Sequence, residues 1–80
     1  SSAKDILITS QLRSAMIFNK KIKSSNYTLE TINKKIYIFG ISMDLDEKKE
    51  VIKEANKIYD VEEVLPAIYL ASELSRTKIN

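Results

Sequence analysis

The sequence predicts an α+β domain, an αββαβ sandwich in which a three-stranded mixed β-sheet has two helices packed on one face. Three observations predict it. Residues 5–18 set Ile8, Leu12, Ala15 and Met16 at the spacing of one helix face. Residues 26–42 alternate with the period of strands on either side of a polar Asn33-Lys34 pair. A charged amphipathic segment from Asp44 then leads into a second aliphatic run near the C-terminus. A strand that rejoins its sheet through a helix does so right-handed and parallel. Hairpin and crossover together therefore give a mixed sheet.

The first helix, DILITSQLRSAMIF, is apolar on two sides, because Leu7 falls with Ser10, Ser14 and Ile17 on a second, mixed face. Asp5 suits its start, where the helix dipole favours negative charge, and Lys20 and Lys21 follow its end. The connection NKKIKSS is polar except for Ile22, which is expected to plug the bottom of the core. NYTLETI sets Tyr27, Leu29 and Thr31 inward against Asn26, Thr28 and Glu30. Asn33 can take the positive φ that a tight hairpin turn demands. The return strand KIYIFGIS is apolar on both faces, with Ile36 and Ile38 on one and Tyr37, Phe39 and Ile41 on the other. Gly40 shares the Ile36 and Ile38 face, which predicts a helix backbone crossing close by.

Asp44-Leu45-Asp46-Glu47 offers a capping box, with Asp44 as N-cap and Glu47 reaching back. Leu45, Val51, Ile52, Ala55, Ile58 and Tyr59 are expected inward on a helix that ends near Asp60. Glu50 and Glu54 are like charges one turn apart, diluted by Lys53 and Lys57. VEEVLPAIYL is the third strand, with Val64, Ile68 and Leu70 inward and Leu65, Ala67 and Tyr69 outward. Pro66 has no N–H for a ladder and places this strand at an edge. Residues 71–80 are expected to be a polar C-terminal tail.

Eighty residues make one domain, with 44% hydrophobic and 30% charged residues. The chain has no Cys and no His, which excludes disulfides, thiolate zinc sites, Cys nucleophiles and Ser-His-Asp triads. No apolar run approaches the ~20 residues of a membrane span. The net charge of +2 is divided. Residues 1–43 carry seven basic and two acidic side chains, and residues 44–63 carry four basic and eight acidic. Ile, Lys and Asn supply 28 of the 80 residues, a bias of genome composition that discounts any argument from lysine alone.

Residues 5–70 resemble a BON domain (bacterial OsmY and nodulation). The resemblance rests on DILITSQLRSAM, NYTLETINKKIYIFGIS and KIYDVEEVLPAIYL, and on Ile8, Thr9, Leu12, Arg13, Leu29, Ile36, Ile38, Gly40, Val61 and Val64 at the family's positions. It lies closest to the second BON domain of outer-membrane lipoproteins that carry two. Leu7 stands where the family often has an aromatic residue, Asn33-Lys34 where it turns through Asn-Gly, and Asp60 where Gly usually ends the second helix. The resemblance implies a non-enzymatic envelope domain without cofactors that binds anionic phospholipid, of the phosphatidylglycerol kind, and supports outer-membrane integrity. It implies a periplasmic location, with an N-terminal lipid anchor outside this chain.

On that basis the lipid-binding candidates are Leu7, Ser10 and Ser14 on the first helix, with Lys4, Lys34 and Lys35 at the same end. One apolar side chain among lysines is what a shallow peripheral contact needs. The alternative is a protein-interaction or oligomerisation module using Tyr37, Phe39, Ile41, Leu65 and Tyr69 on the uncovered sheet face. Its partner would be a second BON domain or another copy. Nucleic acid is not expected as a partner, because the basic residues are nearly all Lys and no GxxG loop is present. The acidic cluster Asp44, Asp46, Glu47 and Glu50 is explained by helix capping and is not expected to hold a metal.

Overall fold

The computed structural model describes residues 2–76, the side chains of Ser75 and Arg76 excepted. The elements follow as α1 (Ala3–Phe18), a 3-10 turn (Ser24–Asn26), β1 (Tyr27–Ile32), β2 (Lys35–Ser42), α2 (Leu45–Asn56), β3 (Glu63–Leu70) and α3 (Ala71–Arg76). The sheet order is β1-β2-β3, with β1 antiparallel and β3 parallel to the central β2. The α+β class and the mixed three-stranded sheet are as the sequence predicts. One face of the sheet packs against α1 and α2. Ile8, Leu12 and Met16 from α1 meet Leu29, Ile36, Ile38, Val51, Ala55 and Ile68 there.

α1 begins two residues earlier than its apolar pattern. Ser2 is the N-cap, its Oγ accepting the Asp5 N–H at 3.1 Å. Ile22 is buried as expected. The hairpin turns through Asn33 and Lys34 at φ 50° and 66°, the doubly left-handed form that suits the twist of paired strands.

Gly40 is crowded, but not by a helix. A Cβ there would lie 2.5 Å from the Asn26 carbonyl oxygen and 2.5 Å from the Tyr27 ring, so the close approach comes from the start of β1. Tyr27 fills the space that the missing side chain leaves.

Two residues expected inward on α2 face solvent. Asp44 caps the helix, its Oδ1 accepting from the Glu47 N–H at 2.9 Å. That cap fixes Leu45 at the first helical position, about a third of a turn away from the face of Val51 and Ala55. Tyr59 is 83% exposed because the helix stops at Asn56, and its periodicity does not extend through the turn to Asp60. Asp60 adopts φ 69° in the turn that leads to β3, a left-handed conformation that Asp tolerates. Glu50 and Glu54 are reconciled by a donor rather than by lysines alone. Asn19 Nδ2 donates to both, at 3.0 and 2.7 Å.

The expected tail is helical over Ala71–Arg76, with Glu73 Oε1 accepting from the Leu70 N–H at 2.7 Å. Residues 77–80 of that tail lie outside the described residues. Among the described residues, no helix is long and apolar enough to cross a membrane.

Candidate functional site: the outer face of the first helix

α1 turns one stripe into the core and leaves the opposite stripe to solvent. The inward stripe is Asp5, Ile8, Leu12 and Met16, all buried. The outward stripe is not polar. Phe18 is 85% exposed, Ile6 61%, Ile17 60% and Leu7 50%. Between them stand the small, exposed Ser10 and Ser14. An ordinary surface helix puts charges there. Here Arg13 stands at the border of the stripe, beside Ile6 and Ile17, and Lys20 follows its end. Neither makes an ion pair among the described residues.

The helix is held in this attitude at both ends. At the N-terminal end, Asp5 Oδ2 and Oδ1 accept the N–H groups of Asn33 and Lys34, each at 2.9 Å. The Lys34 N–H holds the Asp5 carboxyl below the usual carboxylate range, against burial, and the Asn33 N–H adds to it. In mid-helix the Thr9 and Thr31 hydroxyls meet at 2.6 Å. At the C-terminal end, Asn19 joins α1 to α2 through Glu50 and Glu54. The Asn19 amide also draws the Glu50 carboxyl down, with Lys53 and Lys21 assisting. The dipole argument thus gives Asp5 only part of its role, since its carboxylate caps the hairpin as well.

The expected lipid-binding residues divide into two groups and an outlier. Leu7, Ser10 and Ser14 lie together on the outer stripe, and Ile6, Ile17 and Phe18 extend it. Lys4 and Lys34 also come together, at the end shared by the α1 N-terminus and the hairpin tip. They do so around a carboxylate, because Asp60 Oδ2 lies 3.1 Å from Lys4 Nζ and 3.4 Å from Lys34 Nζ. Lys4 and then Lys34 hold the Asp60 carboxyl below its ordinary range. Their positive field is therefore partly cancelled. Lys35 begins β2 on the other face, in register with Ile32 and Glu63, and does not share a surface with Leu7.

The second candidate surface is the sheet face away from the helices. Phe39, Ile41 and Tyr69 are exposed there, while Tyr37 and Leu65 are half-buried. The register pairs Tyr37 with Leu65, Phe39 with Ala67 and Ile41 with Tyr69, so the five form one continuous apolar strip across β2 and β3.

No family model matches the chain. Over 66 residues it is 29% identical to a protein of Anaplasma centrale described as an uncharacterized protein in the gshII 5′ region. That similarity covers 82% of this chain and 44% of the relative, so the chain spans less than half of the relative's length.

Proposed function

We propose that this domain is a binding module that docks on phospholipid surfaces rich in anionic headgroups, with the outer stripe of α1 as the contact. The observation that carries the reading is the exposure of Ile6, Leu7, Ile17 and Phe18 on one side of one helix. Four large apolar side chains on the solvent face of a well-anchored helix match an interfacial helix with its apolar side toward acyl chains. Phe18 supplies an aromatic side chain at the end of the stripe, although Leu7 stands where the BON resemblance expects one.

The cations differ from those the sequence suggested. Arg13 and Lys20, rather than Lys4, Lys34 and Lys35, flank the apolar side chains, without an acidic partner among the described residues. Each contributes about 1 kcal/mol near an anionic surface. Shallow insertion of four apolar side chains adds about 1 kcal/mol each, roughly half of full burial. A total of about 6 kcal/mol corresponds to dissociation constants of tens of micromolar. The resemblance to BON domains supports the same reading. With it come a periplasmic setting at the outer membrane and anchoring by a lipid outside this chain, which would raise the effective concentration.

Cosedimentation with phosphatidylglycerol vesicles tests the proposal. The protein should pellet with them, more weakly as salt rises, and the Leu7→Ser, Phe18→Ser double variant should stay in the supernatant while remaining folded. Equal recovery of that variant, or equal binding to phosphatidylcholine alone, would contradict it.

A second reading rests on the apolar strip of the sheet, which would pack against a second domain of the same kind or another copy of the chain. Size exclusion across a concentration series, with Tyr37→Ser and Phe39→Ser combined as the control, distinguishes it from a free face.

A further inference from the structure

The two edges of the sheet are unlike. On β3 the parallel register pairs Pro66 with Ile38, so the ladder bonds run through the flanking residues and Pro66 faces outward. The outer edge of β3 therefore lacks a donor in its middle, a common way of blunting an edge. β1 has no such guard. Its two-residue turn makes Ile32 and Lys35 a hydrogen-bonded pair, and alternation makes Glu30 with Tyr37 and Thr28 with Phe39 the next two. Leu29 and Thr31, 8% and 6% exposed, consequently turn their N–H and C=O groups away from β2, toward the edge that no described strand pairs.

A groove runs along that edge. Its walls are Asp5, Ile6, Thr9 and Ser10 of α1 and Leu29 to Thr31 of β1. The Asp5 carboxylate is taken up by the Asn33 and Lys34 N–H groups, and the Thr9–Thr31 hydroxyl contact spans the two elements. Arg13 and Ile17 continue the Ile6 and Ser10 row along the helix at spacings of three and four residues. Ile6 and Ile17 are thus about 16 Å apart along the helix axis, with Arg13 between them. In an extended chain, alternate side chains recur every ~6.8 Å, so three of them cover most of that span. Glu30, exposed on the opposite face of β1, sets the charge on the other side of an added strand.

We propose that the open edge of β1 receives an extended peptide segment of a partner protein as a fourth, antiparallel strand. Its recognised pattern is apolar–x–acidic–x–apolar, with basic residues at the x positions. The acidic side chain lies opposite Leu29 on the helix side and pairs with Arg13. The apolar ones contact Ile6 and Ile17, and the basic ones lie beside Glu30. A second copy of this chain suits the edge less well. A two-fold axis through Leu29 would bring Arg13 close to its own counterpart, like charge against like. Ile6, Arg13 and Ile17 also belong to the proposed membrane contact, so peptide and lipid would compete for them. The backbone edge of β1 lies outside that contact, and the inference does not rest on lipid binding.

The probe is the peptide acetyl-Thr-Val-Lys-Glu-Lys-Val-Thr-amide, titrated into the isotopically labelled protein. Amide shifts are expected at Leu29, Thr31, Ile6 and Ser10, with slowed hydrogen exchange at Leu29 and Thr31. N-methylating the peptide's Glu removes the donor aimed at Leu29 and should weaken binding about tenfold, the loss of one good hydrogen bond. N-methylating a peptide Lys, whose N–H points outward, should leave binding unchanged. Arg13→Glu should transfer the preference to a peptide with Lys at the centre. The proposal is overturned by an absence of shifts at millimolar peptide, or by equal losses from the two N-methyl forms. It is also overturned by shifts centred on Phe39 and Tyr69, or by protection of Leu29 and Thr31 that grows with protein concentration without peptide.

Discussion

The Tyr27 hydroxyl donates a hydrogen bond to Glu47 Oε2 at 2.8 Å, joining the first strand to the start of α2 inside the core. Because Tyr27 has one proton to give, the Ser42 hydroxyl at 2.6 Å is the donor in their pair. Glu47 also accepts from the N–H groups of Lys23 at 3.0 Å and Met43 at 2.9 Å, so both oxygens of a buried carboxylate are used. Glu47 thereby ties the loop after α1, the hairpin and the second helix together. Glu47→Ala leaves Lys23, Met43 and Tyr27 donors without their acceptor and should cost about 3 kcal/mol, read from chemical denaturation.

The same site sets an alkaline limit. Burial pushes the Tyr27 hydroxyl up to about 12, with the nearby Glu47 charge adding to the shift and the Ser42 hydrogen bond opposing it. A folded-state value above the unfolded value of 10.0 gives stability that is complete below pH 10 and lost as pH rises toward 12. Tyr27→Phe should be less stable at pH 7 by about 1–2 kcal/mol and should lose stability less steeply between those limits. Parallel slopes for the two proteins would place the hydroxyl in solvent.

Asp5 gives the opposite limit. Its folded value lies below the ordinary 3.8, so its contribution is present above that value and lost as pH falls through the folded one. Asp5→Asn should lower the melting temperature at pH 7 and flatten its fall on acidification. Equal acid dependence of the two proteins would mean that the hairpin turn does not rely on the carboxylate.

Gly40 tests the packing beside Tyr27. Its φ is not in the left-handed region, so a side chain is excluded by space rather than by backbone conformation. Gly40→Ala should destabilise by about 1–3 kcal/mol, since the backbone carbonyl of Asn26 cannot swing aside as a flexible side chain would. Reversible thermal unfolding of this variant reads the cost, and an unchanged melting temperature would contradict the close approach.

Much of this fold is readable from the sequence because its signals are local. Tyr27, Leu29 and Thr31 alternate, Asn33-Lys34 has turn chemistry, and Asp44 caps. The errors come where a pattern is extended past its cause. Tyr59 keeps helical phase with Ala55 on paper, but the helix ends at Asn56. The role of Asp5 requires knowing that the hairpin tip returns to it, a contact 28 residues away in sequence. The outer stripe of α1 was half-visible. Leu7, Ser10, Ser14 and Ile17 share a face by spacing, and Ile6 and Phe18 border it on the same helical projection. The neutralisation of Lys4 and Lys34 by Asp60 was not visible, because three separate elements meet to make it.

That neutralisation can be reversed. Asn tolerates the left-handed conformation of residue 60 as Asp does, so Asp60→Asn removes the charge and keeps the turn. The freed lysines should raise affinity for phosphatidylglycerol vesicles about fivefold at low salt, near 1 kcal/mol. Unchanged affinity would keep that end of the molecule away from the membrane.

The most direct measurement of the membrane contact is paramagnetic broadening of backbone amides by spin-labelled lipid in phosphatidylglycerol bicelles. The strongest broadening is expected at Leu7, Ser10, Ser14, Ile17 and Phe18, with α2 and the Phe39 and Tyr69 face little affected. Broadening centred on the sheet face or on α2, with α1 spared, would contradict it.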